Sequence, residues 1–159
     1  MNRDSNTSKA PQSTASFPPG VSSGISHGTL ECGQIARARA FYTDFLGVQT
    51  LRHGQPAFMT WLSEGPNFAI ACVMAGEQAR AQTRDNRWEL SLDSAEDVAA
   101  AHAAAIANKD GWGIRHVDPL TEQDGYPWFC LQDVDGNWWG LSNRGLDWLE
   151  TAFEHAIKD

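Results

Sequence analysis

His27-Gly28-Thr29-Leu30-Glu31-Cys32 leads into an apolar run of helical spacing that ends at Gly47, and Arg87-Trp88-Glu89-Leu90-Ser91-Leu92 leads into a second such run, with glycines at 111 and 113. Each run is followed by an apolar-Arg-His triplet, Leu51-Arg52-His53 in the first copy and Ile114-Arg115-His116 in the second. Further on, the turn Ser63-Glu64-Gly65-Pro66-Asn67 corresponds to Asp133-Val134-Asp135-Gly136-Asn137, each between two strand-like apolar runs. The offset between the copies grows along the chain, as longer loops in the second copy require. Self-similarity at this spacing predicts two βαβββ units built from one pattern. The copies disagree at their first residue, because a histidine can ligate a metal and a guanidinium, which stays protonated, cannot.

A chain of 159 residues suits one domain with a workable core, and two half-size units must share a sheet or an interface to bury enough surface. The net charge of −8 and the lack of a basic cluster argue against nucleic acid, since phosphate binding needs concentrated Lys and Arg. Cys32, Cys72 and Cys130 lie on strand-like runs without Cys-x-x-Cys spacing and read as reduced and structural, which sets a cytoplasmic expectation. Residues 1–23, rich in Ser, Thr, Pro, Asn and Gln, read as a disordered tail. No segment approaches the roughly 20 apolar residues of a membrane span, so no membrane partner is expected.

Within the first unit Ile35, Ala38, Phe41, Tyr42 and Phe45 recur at helical spacing over residues 34–46, with Gly47 as a left-handed cap. The second helix is expected over residues 94–108, with Ser94 as N-cap, Asp97 three residues on, and a slim face of Val98, Ala101, Ala105 and Ile106. Strands are expected over 56–62, 67–73, 128–132 and 138–143, with turn residues between them. Residues 147–157 read as a terminal helix with Leu149, Phe153 and Ile157 in line, suited to cap an edge or a dimer contact.

Three elements in this order resemble the vicinal oxygen chelate superfamily, which includes glyoxalase I, extradiol dioxygenases, fosfomycin resistance proteins and bleomycin-binding proteins. They are His27-Gly28-Thr29-Leu30-Glu31, the helix holding Phe41-Tyr42 with Phe45-Leu46-Gly47, and Asp133-Val134-Asp135-Gly136-Asn137-Trp138-Trp139. The resemblance covers residues 24–143 and implies an α+β fold in which paired βαβββ modules, 24–75 and 85–146, form a curled mixed sheet around a central cup. It further implies dimerisation and a small-molecule site inside the cup. Members that bind a metal draw ligands from the first and last strands of each module, positions that fall here on His27, a residue near Ile70, Arg87 and Gly140. His27 is the one ligand among these, short of the three that a catalytic divalent site generally needs, so neither metal nor other cofactor is expected.

Residues two apart on a strand share a face, which sets His27, Thr29 and Glu31 together and Arg87, Glu89, Ser91 and Asp93 together. In the cup, Arg87 would hold a carboxylate, phenolate or developing enolate, and His27, Glu31 or Glu89 would move a proton. Against this stands a purely structural role in which Arg87 pairs with Glu31 or Glu89. His53 and His116, which follow the helices at matching places, read as surface-loop histidines, with a place at the cup rim as the alternative. Among the seven tryptophans, Trp128 and Trp138 are expected to line the pocket with Phe58, Thr60, Ser91, Cys130 and Gly140, the last leaving room for a ligand. The expected function is a metal-independent cup that binds a small aromatic, anionic or polyketide-like molecule and catalyses proton transfer of the isomerase, cyclase or lyase type. Two alternatives stand beside it, a non-catalytic binding or resistance protein and a metal-dependent glyoxalase- or dioxygenase-like enzyme. A homodimer is the expected assembly.

Overall fold

The computed structural model describes residues 27–52, 57–61, 69–145, 147–148 and 151. The first unit runs β1 (His27–Cys32), α1 (Ile35–Ala40), β2 (Gln49–Arg52), β3 (Ala57–Trp61) and β4 (Ala69–Met74). Its sheet is ordered β1-β4-β3-β2, with β1 and β4 parallel and the other neighbours antiparallel. The second unit runs β5 (Trp88–Ser91), α2 (Ala95–Ala107), a short α3 (Lys109–Trp112), β6 (His116–Val117), β7 (Thr121–Gln123), β8 (Tyr126–Gln132) and β9 (Trp138–Ser142). Its sheet is ordered β5-β9-β8-β6, with β5 parallel to β9 and β7 paired to β8. The parallel pairing of first strand with last, repeated in both sheets, is what a twice-used βαβββ pattern produces. The arm β7 is an addition to that pattern, carried by Thr121–Gln123 in the longer loop of the second copy.

The expected single helix over 34–46 is two kinds of helix joined end to end. After α1, residues Phe41–Phe45 make a π-helical turn in which the Leu46 N–H donates to the Phe41 carbonyl at 3.0 Å. The wider turn rotates Phe41 and Tyr42 onto one side, and both are fully buried. Gly47 follows at φ +70°, the left-handed geometry expected of it. In α2, Ser94 Oγ accepts from the Asp97 N–H at 3.1 Å and donates to Asp97 Oδ2 at 2.7 Å. Val98 and Ala105 are buried as expected, but Ile106 is 56% exposed, because a step of one residue swings it about 100° off the packed face.

One core serves both units. Leu30, Cys32 and Cys72 from the first sheet and Phe129, Leu131 and Trp139 from the second belong to a single buried cluster, closed by Phe41 and Tyr42. The Tyr42 ring meets the Trp139 ring edge-on at 5.1 Å, and Phe41 meets Trp112 of α3 at 6.3 Å. The β8–β9 turn then ties the units together by polar contacts. Tyr42 Oη and Trp139 Nε1 donate to Asp133 Oδ2 at 3.0 and 3.1 Å, and the Asp135 and Asn137 N–H groups donate to Asp133 Oδ1. The Gly33 N–H donates to Asp135 Oδ1 at 2.9 Å, and Asn137 Nδ2 donates to the Glu31 carbonyl at 3.0 Å. Burial raises the Asp133 carboxyl above its ordinary value, against the opposing pull of Trp139, Asn137 and Tyr42. Of the terminal helix, residues 147, 148 and 151 are described; the tail over 1–23 and His53 lie outside the described residues.

Candidate functional site on the second sheet

Alternation in β8 and β9 sends Phe129, Leu131, Trp139 and Leu141 into the core, which leaves Trp128, Cys130, Gln132, Trp138 and Gly140 on the opposite face. Register carries that face across to β5, where Glu89 pairs with Gly140 and Ser91 with Ser142. Arg87 lies one residue before β5 with extended backbone, so it continues the alternation of Glu89 and Ser91. The residues expected on this side of the second unit are therefore brought onto one face.

On that face Arg87 Nη2 donates to Glu89 Oε1 at 2.7 Å, and Arg87 Nη1 donates to the Arg84 carbonyl at 3.1 Å. The pair lies over Gly140. A Cβ added there would stand 2.9 Å from Glu89 Cγ and 3.1 Å from Arg87 Nε. The room made by Gly140 is thus filled by this chain's own ion pair, which corrects the expectation that a ligand would use it. The Arg87 guanidinium also stacks over Trp128 with its carbon 5.1 Å from the ring centroid, a contact worth about 0.5–1 kcal/mol where partly exposed. Arg84 lies over both Trp128 and Trp138, at 5.8 and 5.9 Å. Beneath them Cys130 is fully buried, so it underlies the surface rather than forming it. Burial pushes its thiol up to about 11, with Arg87 and Arg84 pulling the other way.

Arg84 and Asp118 are the parts that sequence reasoning missed. Arg84 Nε and Nη2 both donate to Asp118 Oδ2, at 3.1 and 2.5 Å, and His116 Nε2 lies 3.0 Å from Asp118 Oδ1. The His116 ring is 5.6 Å from the Trp138 ring, so this histidine joins the face instead of standing in a loop. Asp118 is held in place by its own backbone, its N–H donating to the Cys130 carbonyl and its carbonyl meeting His102 Nε2 at 2.9 Å. A cleft of about 150 Å³ opens here, lined by Arg84, Asp118, Pro119, Thr121, Trp128 and Phe129. Arg84 sits in a short 3-10 turn (Arg84–Asn86) and Asp118 after a two-residue strand, segments with no periodicity to reveal which way they face.

Two further expected site residues, Glu31 and Ser91, have partners of their own. Glu31 Oε2 accepts the Arg80 N–H at 2.7 Å, and the partner of Arg87 is Glu89. Ser91 Oγ donates to the Arg144 carbonyl at 2.5 Å. His27 stands at the start of β1 in register with Ala69, and its side chain lies outside the described residues. The same holds for Phe58 and Thr60, whose backbone registers are with Cys72 and Thr50.

The metal positions implied by the resemblance can be tested against this geometry. Two of them, Arg87 and Gly140, do converge, but what occupies their meeting point is a guanidinium paired to Glu89. A divalent ion placed there would face a fixed positive charge and a carboxylate already engaged. These residues do not fit a metal.

No family model matches the sequence, and no curated protein sequence does. Solved structures match in fold. The genomically encoded fosfomycin resistance protein FosX from Listeria monocytogenes, in its monoclinic form, superposes with a TM-score of 0.62 at 16% identity, over 81% of this chain and 97% of that one. A mutant of that protein complexed with Mn(II) and 1S,2S-dihydroxypropylphosphonic acid gives 0.59 at 14% identity, over 82% and 98%. A glyoxalase/bleomycin resistance protein from Albidiferax ferrireducens T118 gives 0.57 at 20% identity, over 76% and 98%. At these identities the likeness is one of fold, and the chain has the α+β fold of the glyoxalase and fosfomycin resistance proteins.

Proposed function

We propose that this chain is a vicinal oxygen chelate protein that binds a small aromatic molecule on the Arg-Trp face of its second sheet and does so without a resident metal. The observation that carries this reading is the Arg87–Glu89 pair lying over Gly140 and against Trp128. A fixed guanidinium takes the place where the resemblance puts metal ligands, and tryptophan faces supply affinity for a planar ligand. The complex of the Listeria protein with a phosphonic acid supports a small-molecule site in this fold.

The same face can support proton transfer. Glu89 is 40% exposed and its Oε1 is engaged by Arg87, while its Oε2 takes no hydrogen bond among the described residues. Glu89 Oε2 would accept a proton from a bound C–H or O–H acid, and the neighbouring guanidinium would stabilise the anion that forms. The non-catalytic binding reading is favoured by the same pair, since Arg87 and Glu89 neutralise each other and brace the tryptophan without any reaction. Screening a panel of phenols and aromatic ketones for binding and for exchange of acidic hydrogens in deuterium oxide separates the two. Exchange that Glu89→Gln abolishes while binding persists supports catalysis, and binding with no exchange by either protein leaves a binding protein. Retention of all binding in an Arg87→Ala, Trp128→Ala double variant would remove the site from this face.

A further inference from the structure

We infer that the cleft beside Trp128, bounded by Arg84 and the Asp118–Pro119 connection, selects an uncharged, single-ring aromatic that carries both a hydrogen-bond donor and an acceptor. This rests on the reading of the second-sheet face as the ligand site and narrows its ligand in size and in charge.

Size comes from the cleft. Its volume of about 150 Å³ matches that of a cavity that holds one benzene ring, so a single ring is the ligand it covers most completely. One wall is Trp128, whose ring is also contacted by Arg84 and Arg87, and Thr121, its register partner on the neighbouring strand, stands beside it. Polar groups sit at one end, where Arg84 can donate and Asp118 can accept.

Charge comes from the pairing of the arginines. Arg84 and Arg87 would suggest an anion site if taken alone, but each has its own carboxylate, Asp118 at 2.5 Å and Glu89 at 2.7 Å. Asp118 is the more buried member of its pair, with 16% side-chain exposure against 47% for Arg84. A ligand carboxylate approaching Arg84 therefore meets the Asp118 charge at comparable distance, and the attraction and repulsion offset each other. It still loses its hydration. An uncharged ring loses less hydration than a carboxylate and gains contact with Trp128 together with one donor and one acceptor. The anionic ligand expected from the sequence is disfavoured for this reason, which is visible only once the partners of both arginines are known.

Benzamide and benzoate have nearly the same shape and differ in charge, and 2-naphthamide adds a ring. Calorimetric titration of the full chain with each, at neutral pH and low salt, tests both halves of the inference. Benzamide is expected to bind at least about tenfold more tightly than benzoate and than 2-naphthamide. Asp118→Asn keeps the side-chain shape and leaves Arg84 uncompensated, so benzoate affinity should rise by about tenfold while benzamide changes little. Glu89→Gln, which frees Arg87 instead, guards against misfolding of the first variant and should move the ratio in the same direction. Thr121→Trp, which fills the cleft from the neighbouring strand, should abolish binding of all three. Benzoate binding as well as benzamide in the parent, or an unchanged ratio in both carboxylate variants, would overturn the charge selection. Tighter binding of 2-naphthamide would overturn the size preference. Failure of all three probes to bind would overturn the inference and remove this cleft from the site, whereas binding with the wrong preference leaves the site in place.

Discussion

At the scale of single residues, Gly140 and Arg87 explain each other. A strand in the middle of a sheet normally loses by carrying glycine, and here the missing side chain is the space in which Arg87 and Glu89 meet. Gly140→Ala should therefore destabilise the protein by about 1–3 kcal/mol, because the new methyl must push the Glu89 stem rather than a free side-chain end. Urea unfolding measures this, and an unchanged midpoint would mean that the pair moves aside without cost. Part of this was legible in the sequence. Alternation put Arg87 with Glu89 and Gly140 with Trp138, but only the register of β5 on β9 brings the two sets together.

At the scale of elements, the helices carry local signals that hold up to different degrees. Ser94 is an N-cap both by sequence and by geometry, with reciprocal hydrogen bonds to Asp97. Ser94→Ala should lower stability by about 1 kcal/mol, read as a shift in the thermal midpoint, with Ser94→Gly costing less. The π-helical turn at Phe41–Phe45 had no such signal, since the same apolar spacing suits an uninterrupted α-helix. Its cause is tertiary, because both Phe41 and Tyr42 have to reach the shared core. Arg84 and Asp118 were invisible for a related reason. They sit in connecting segments, and an aperiodic segment is oriented by what it packs on rather than by its own pattern.

At the scale of the whole molecule, the Asp-x-Asp-Gly-Asn turn is the joint between the two units. Asp133 accepts four hydrogen bonds, one of them from Tyr42 in the other unit, and is fully buried. Asp133→Asn should cost about 1–3 kcal/mol at neutral pH, because the new amide nitrogen faces donors and leaves them without an acceptor. The loss should appear in one cooperative transition that fluorescence and circular dichroism report together, since the two units share a core. The pH dependence has a defined sign. Burial holds the Asp133 carboxyl above its ordinary 3.8, so the folded protein binds that proton more tightly than the unfolded chain does. The wild type should therefore gain stability relative to Asp133→Asn as pH falls through the raised value, with the gain complete below 3.8. Urea unfolding of both proteins across that range checks it, and a gap that moves the other way would show that the four hydrogen bonds outweigh desolvation.

The sequence by itself determined the twice-used βαβββ pattern and, within each strand, which residues share a face, Arg87 with Glu89 and Trp138 with Gly140. Those properties depend on periodicity and on side-chain chemistry, which are local. Tertiary structure alone decided that Glu89 is the partner of Arg87, that Arg84 and Asp118 complete the face, and that the Asp133 turn binds the units together. The Arg87–Glu89 pair joins residues two apart on one strand, chosen over Glu31 by where the first sheet lies, and the other two are contacts between segments far apart in the chain, set by packing that no local pattern encodes.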